Sequence, residues 1–263
     1  MWPEGFRCAV ALTIDLDFET AWEFKDPDYE SRPLGLSMAR YGPNVGVPLL
    51  LSMLDDLGVQ ATFFVPGKSA ETFPEAVRSV VDAGHEIAVH GYTHDPPNGF
   101  TREQEEEQLR RALKVLRGFD TEVAGYRAPF YEVSVHTIGL LQEHGLSYSS
   151  NLMDDFKPYR HPNSGTIELP VHWIMDDWLQ FKHGLDDWLE PNATCAKVRE
   201  LWMDEFLGIR AHGGLFVLTL HPQVIGRPSR IEMLKGLVEE MASHEDVWLT
   251  TCGAIAKQVS GSD

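Results

Sequence analysis

The chain has 263 residues and a formal charge of −18, with 40 acidic against 22 basic side chains. That balance lacks the clustered Lys and Arg that phosphate contacts require, so neither nucleic acid nor an anionic membrane surface is an expected partner. Cys8, Cys195 and Cys252 lie far apart and in no CxxC spacing, which indicates neither a disulfide framework nor a thiolate zinc site and suits a reducing compartment.

The opening "MWPEGFRCAVAL" has no basic region, long apolar core or small-residue cleavage site, so a cytoplasmic protein is expected. No apolar run reaches bilayer length. "CAVALTIDL" then reads as a buried strand that ends by placing Asp15, Asp17 and Glu19 at alternate positions. In an extended chain these carboxylates face one way, roughly 7 Å apart, and repel one another unless solvent or a cation lies among them. A polar stretch, 23–44, follows as a long loop of the kind that usually carries function.

From there apolar strand runs alternate with amphipathic helix patterns. "VGVPLLLSMLDDLG" precedes the strand "ATFFVPG", and "FPEAVRSVVDAG", with Pro at its start and Gly at its end, precedes "HEIAVHG". "TREQEEEQLRRALKVLRG" opens with Thr101 and Gln104 in capping-box spacing and leads to "GYRAP". "SVHTIGLLQEHG" leads to "LSYSSNL" and "TIELPVHW"; the span 196–212 is the weakest helix pattern; "GLFVLTLHP", "IEMLKGLVEEMASH" and "VWLTT" finish the series. Such alternation predicts an α/β fold, a (β/α) barrel of about seven or eight mostly parallel strands. With no repeat or flexible linker, residues 1–263 read as a single catalytic domain.

Active sites of such barrels form at the C-terminal strand ends. There the sequence places Asp15, Asp17 and Glu19, then His90 and His94, Arg127, His172 with Trp173, and His221. "HGYTH" brings two imidazoles to one side of a helix or turn, and a carboxylate from another strand completes a two-His, one-carboxylate set suited to a divalent ion, Zn²⁺ first among them. "HEIAVH" is one residue too long for a zinc-protease motif, so His85 reads as structural.

Taken in order, "TIDLDFE", "HGYTH", "GYRAPFYE", "DDW" and "LHP" resemble the polysaccharide deacetylase (NodB-homology, carbohydrate esterase family 4) superfamily. The chain is most similar to its intracellular branch of peptidoglycan-deacetylase-like proteins, cyclic imide hydrolases and allantoinase-like enzymes, from about Ala9 to Ala256. The resemblance implies a distorted (β/α) barrel, NodB-like, that hydrolyses a non-peptide C–N bond. It further implies Asp15 as general base, Asp17, His90 and His94 as metal ligands, Arg127 as the residue orienting the base, His221 as general acid and Trp178 as a wall of the site. Leu16 separates the two aspartates in the D-x-D form of the intracellular branch, leaving both open as metal ligand.

Glu19, Trp22, Phe130, Trp178 and Arg227 are the expected substrate-binding residues. The missing export signal and a loop able to roof the site favour a small-molecule amide or cyclic imide over the alternative, N-deacetylation of a chitin- or peptidoglycan-type saccharide. "WEF" and the acidic loop are the candidate contacts of a homo-oligomer.

Overall fold

A computed structural model of the chain describes residues 1–23, 25–26, 28–162, 164–181 and 193–261. The strands are β1 (Cys8–Asp15), β2 (Thr62–Val65), β3 (Glu86–Val89), β4 (Val123–Tyr126), β5 (Tyr148–Ser149), β6 (Tyr159–Arg160), β7 (Ile167–Glu168), β8 (Leu215–Leu220) and β9 (Val247–Leu249). They form one sheet in the order β6-β7-β5-β4-β3-β2-β1-β8, with β9 added beside β1. Every pairing is parallel except β6 with β7. Helices such as Val47–Leu57, Pro74–Asp82, Arg102–Arg117 and Pro228–Ala242 supply the crossovers. The result is the distorted barrel expected. Among the described residues, the β7 and β8 sides meet through a single bridge, Asp176 to Thr219.

β1 is buried along its whole length and pairs with β8 from Ala9 to Ile14, with β9 at its start and with β2 at its end. A strand covered on both faces reads as a continuous apolar run, and "CAVALTI" is one. β6, an antiparallel two-residue strand, has no such run and escapes the sequence pattern. The helix at 102–117 starts on the predicted box: Thr101 Oγ1 accepts from the Gln104 amide, and Gln104 Oε1 accepts from the Thr101 amide. Cys195–His212 is helical, and it buries Trp202 and Phe206 completely. No described helix is long and apolar enough to cross a membrane.

The stretch expected as a long loop is largely helical. Pro33 starts a helix to Tyr41, and a π-helical turn, Gly42–Gly46, runs on into the helix from Val47. Its buried face consists of Gly35 and Ala39, small residues that leave no apolar stripe to read. Phe24 of "WEF" lies outside the described residues. The turn packs tightly on the segment after β8: a Cβ on Gly46 would lie 2.2 Å from the Pro222 carbonyl oxygen, a backbone atom that cannot step aside.

Gly46→Ala is therefore expected to cost about 1–3 kcal/mol, as overpacking does. A drop of several degrees in Tm, read by scanning calorimetry, is the outcome expected; an unchanged Tm would contradict this packing.

Candidate active site

The site begins where β1 ends. Asp15 is the last residue of the strand, and Leu16 keeps the chain extended by donating its amide to the Phe64 carbonyl at 2.9 Å. Asp17 is fixed by two hydroxyls on its own carbonyl, Thr20 Oγ1 at 2.6 Å and Ser69 Oγ at 2.9 Å. Phe18 then takes a left-handed turn (φ 51°), so Glu19 leaves the face shared by the two aspartates. β3 delivers His90, whose amide bonds to the Val65 carbonyl, and the chain turns at Gly91 (φ 69°) and His94 (φ 63°) to bring the second imidazole back. "HGYTH" is thus a turn rather than a helix.

These side chains converge. His90 Nε2 lies 3.4 Å from Asp17 Oδ1 and 3.8 Å from Asp15 Oδ2, and His94 Nε2 lies 3.3 Å from Asp17 Oδ2. One ligand atom each from Asp17, His90 and His94 lies within 4.8 Å of the others, and all three residues are buried. His90 Nδ1 sits 2.8 Å from the Arg127 carbonyl; donating there, it presents the Nε2 lone pair to the cluster, as metal-binding histidines do. Asp17 Oδ1 is buried without a hydrogen-bond partner, a costly state that a cation would relieve. The donor set fits a divalent ion.

Arg127 is fully buried. Its Nη1 donates to Asp15 Oδ1 and to Thr13 Oγ1, both at 2.8 Å, while Nε and Nη2 donate to Ser150 O (3.3 Å) and Oγ (3.1 Å). Opposite it, His221 Nδ1 bonds Asp177 Oδ1 at 2.6 Å, its amide donates to Asp177 Oδ2 at 2.9 Å, and its Nε2 lies 3.5 Å from Asp17 Oδ2. Beside this pair, Tyr131 donates its hydroxyl to Asp176 at 2.8 Å.

Burial and charge compete at Asp17, His90 and His221. Burial pushes the Asp17 carboxyl up, but His94, His221 and His90 outweigh it and hold the group well below the ordinary carboxylate range. For His90 burial wins over Asp15 and Asp17, and the imidazole favours its neutral form. For His221 burial loses to Asp177, Asp17 and Asp176, which push it up to about 10, so it is protonated at neutral pH.

A cavity of about 410 Å³ opens over the cluster. Asp15, Asp17, His90, His94, Asp176 and His221 line its floor; Phe130, Tyr131, Trp173, Trp178, Leu179, Ala21 and Lys25 line its walls. Three expected substrate contacts do not reach it. Glu19 is bound by Arg40 Nε at 2.6 Å, because the turn at Phe18 swings it outward. Trp22 stands behind the wall, stacked on Tyr29 (5.9 Å) and packed on Trp178 (5.3 Å). Arg227 lies over the Tyr41 ring at 3.6 Å. His172, exposed, caps its own turn by accepting from the Ile174 amide, and His85 accepts from the Ala61 amide, as a structural histidine would. Sequence reasoning missed Asp177 as the partner of His221, the Tyr131–Asp176 pair and Lys25; "DDW" held the signal for the aspartates but drew notice for its tryptophan.

A barrel that gathers two histidines and an aspartate at its strand ends, on the floor of a cavity, carries a candidate site for a divalent ion. Residues 40–149 match the family profile described as polysaccharide deacetylase. A crystal structure from Mycobacterium smegmatis, assigned to the polysaccharide deacetylases, is 41% identical, covers 99% of this chain and 93% of that one, and superposes with a TM-score of 0.96. The peptidoglycan deacetylase of Helicobacter pylori is 29% identical over 92% of both chains. The allantoinase PuuE shares the fold, with a TM-score of 0.87, 24% identity and coverage of 99% and 93%. The chain belongs to the polysaccharide deacetylase family and is a hydrolase of carbon–nitrogen bonds other than peptide bonds.

Because Arg127 is fully buried and neutralises the buried carboxylate of Asp15, Arg127→Met should leave that carboxylate uncompensated and cost about 3–5 kcal/mol in urea denaturation. Adding Asp15→Asn should recover a good part of that loss; strictly additive losses would show that the two groups do not act as a pair.

Proposed function

We propose that the protein hydrolyses a small amide or cyclic imide with a divalent metal ion held by Asp17, His90 and His94. The observation that carries this reading is the convergence of those donors, with the Asp15–Arg127 pair on one side of them and the His221–Asp177 pair on the other, at the floor of one cavity. An ion bound there, Zn²⁺ being the natural fit to this donor set, would polarise the amide carbonyl and make water a competent nucleophile at neutral pH. Asp15 takes the proton from that water as general base, aimed by Arg127 and by its place at the strand end. His221, protonated and 3.5 Å from Asp17, gives a proton to the departing nitrogen. Asp177 holds the imidazole through both its ring nitrogen and its backbone amide, so that Nε2 faces the cavity.

The cavity supports the substrate class. Its volume is that of a small-molecule site, and its walls are aromatic. N-deacetylation of a saccharide is the second reading, favoured by the names that the Mycobacterium smegmatis and Helicobacter pylori relatives carry.

Purified protein should hold about one divalent ion per chain by mass spectrometry, and should open succinimide faster than it releases acetate from N-acetylglucosamine oligomers. A chelator should abolish both activities. Faster acetate release would replace the first reading with the second.

His221 works as an acid only while protonated, so activity should be lost as pH rises through its raised value. Asp177→Asn removes the nearest anion and should move the alkaline limb of the kcat/KM profile down by about one to three pH units. An unmoved limb would remove His221 from the acid role.

A further inference from the structure

The two acids of "DDW" have different surroundings. Asp177 is fully buried, and both of its oxygens are engaged by the imidazole and backbone amide of His221. Asp176 lines the cavity instead. Its Oδ2 accepts from the Tyr131 hydroxyl at 2.8 Å and its Oδ1 from the Trp178 amide at 2.9 Å, so both of these donors are uncharged. Its backbone bridges to Thr219, two residues before His221, and the end of β8 thus sets the carboxylate and the imidazole together. Of the three carboxylates among the described residues lining the cavity, Asp15 is bound to Arg127 and Asp17 faces the two histidines of the metal-fitting cluster. Asp176 belongs to neither arrangement.

An ionised carboxylate offers about four acceptor positions, of which the hydroxyl and the amide take two. Burial raises this carboxyl, while the charge of His221 and the two donors favour its ionised form. One ligand atom each from Asp176, Asp177 and His221 lies within 4.8 Å of the others, so a single substrate group can meet both Asp176 and His221. The geometry points to Asp176 as a specificity-determining residue that accepts the N–H of the departing nitrogen, and so selects substrates whose scissile amide or imide carries a hydrogen there. This rests on the acid role proposed for His221, which locates that nitrogen, and it holds for an imide and an acetylated amine alike. When the C–N bond breaks, its electron pair stays on nitrogen and His221 supplies the new proton; Asp176 takes none. The nitrogen becomes more positive in that step, which a carboxylate within hydrogen-bond reach favours. An N-alkylated substrate leaves the acceptor unmet.

Two substrate pairs separate the claims: succinimide with N-methylsuccinimide, and N-acetylglucosamine with its N-methyl derivative. The wild-type enzyme should favour the N–H member of whichever pair it accepts by at least about tenfold in kcat/KM. Asp176→Asn keeps the size of the side chain, so any steric cost of the methyl group stays constant. It should lower kcat/KM by about ten- to hundredfold on the N–H member and by less than about threefold on the N-methyl member. Asp176→Ser, which keeps an acceptor for the Trp178 amide, should collapse the ratio in the same way. Isothermal titration of 2-pyrrolidinone and N-methyl-2-pyrrolidinone, lactams without the second activating carbonyl, should show the same ordering in binding, again erased by Asp176→Asn. A preference confined to the sugar pair and erased by Asp176→Asn would sustain the role of Asp176 and overturn the imide reading. Equal treatment of the two members by the wild-type protein, or variants that slow both members alike and leave the ratio intact, would overturn the proposal. The acid role of His221 fails separately, through an unmoved alkaline limb in Asp177→Asn.

Discussion

A guanidinium with no exposure to water is an expensive thing to bury, and Arg127 is tolerable only because its surroundings are built for it. It draws on Thr13 and Asp15 of β1 and on Ser150 beyond β5, and lies over the Phe64 ring of β2 at 4.1 Å. Its own amide donates to Val89 of β3, and its carbonyl receives His90 Nδ1. One residue thus ties five strands together, balances the charge of Asp15 and sets which nitrogen His90 turns toward Asp17. The site has its geometry because the barrel must satisfy this one ion.

The barrel was legible because its central strands β1, β2 and β8 are buried throughout and its helices are amphipathic, so hydropathy carries the period of each. The cluster was legible for a related reason. Asp15, Asp17, His90, Arg127 and His221 all fall at strand ends, where sequence position maps directly onto place. Whatever depends on turns was hidden. Glu19 continues the alternation of Asp15 and Asp17 on paper, but the left-handed residue between them reverses its direction. The helix at Pro33–Tyr41 hides behind Gly35 and Ala39, and the service of Asp177 to His221 joins residues 44 apart that no spacing rule connects.

Backbone strain is concentrated at the same place. Five described residues other than glycine have positive φ, and four of them, Phe18, His94, Phe130 and Tyr131, border the cavity or its ligands. Each such residue costs on the order of 1–3 kcal/mol. The strain persists because packing over-determines it: Phe18 meets Phe73 edge-on, His94 meets Phe130, and Tyr131 is fastened to Asp176 and Trp173. Groups held this way need little rearrangement when a reaction begins.

Among the described residues a single bridge, Asp176 to Thr219, joins the β7 and β8 sides, which places the two sides of the barrel under unequal constraint. Asp15, Asp17, His90, His94 and Arg127 descend from neighbouring, fully paired strands, so a change of length there would pull donors out of register. Trp173 and Trp178 come instead from the lightly stitched side, where residues can be gained or lost with less disturbance to the paired strands. Change in the aromatic wall can then proceed separately from change in the donor cluster within one fold.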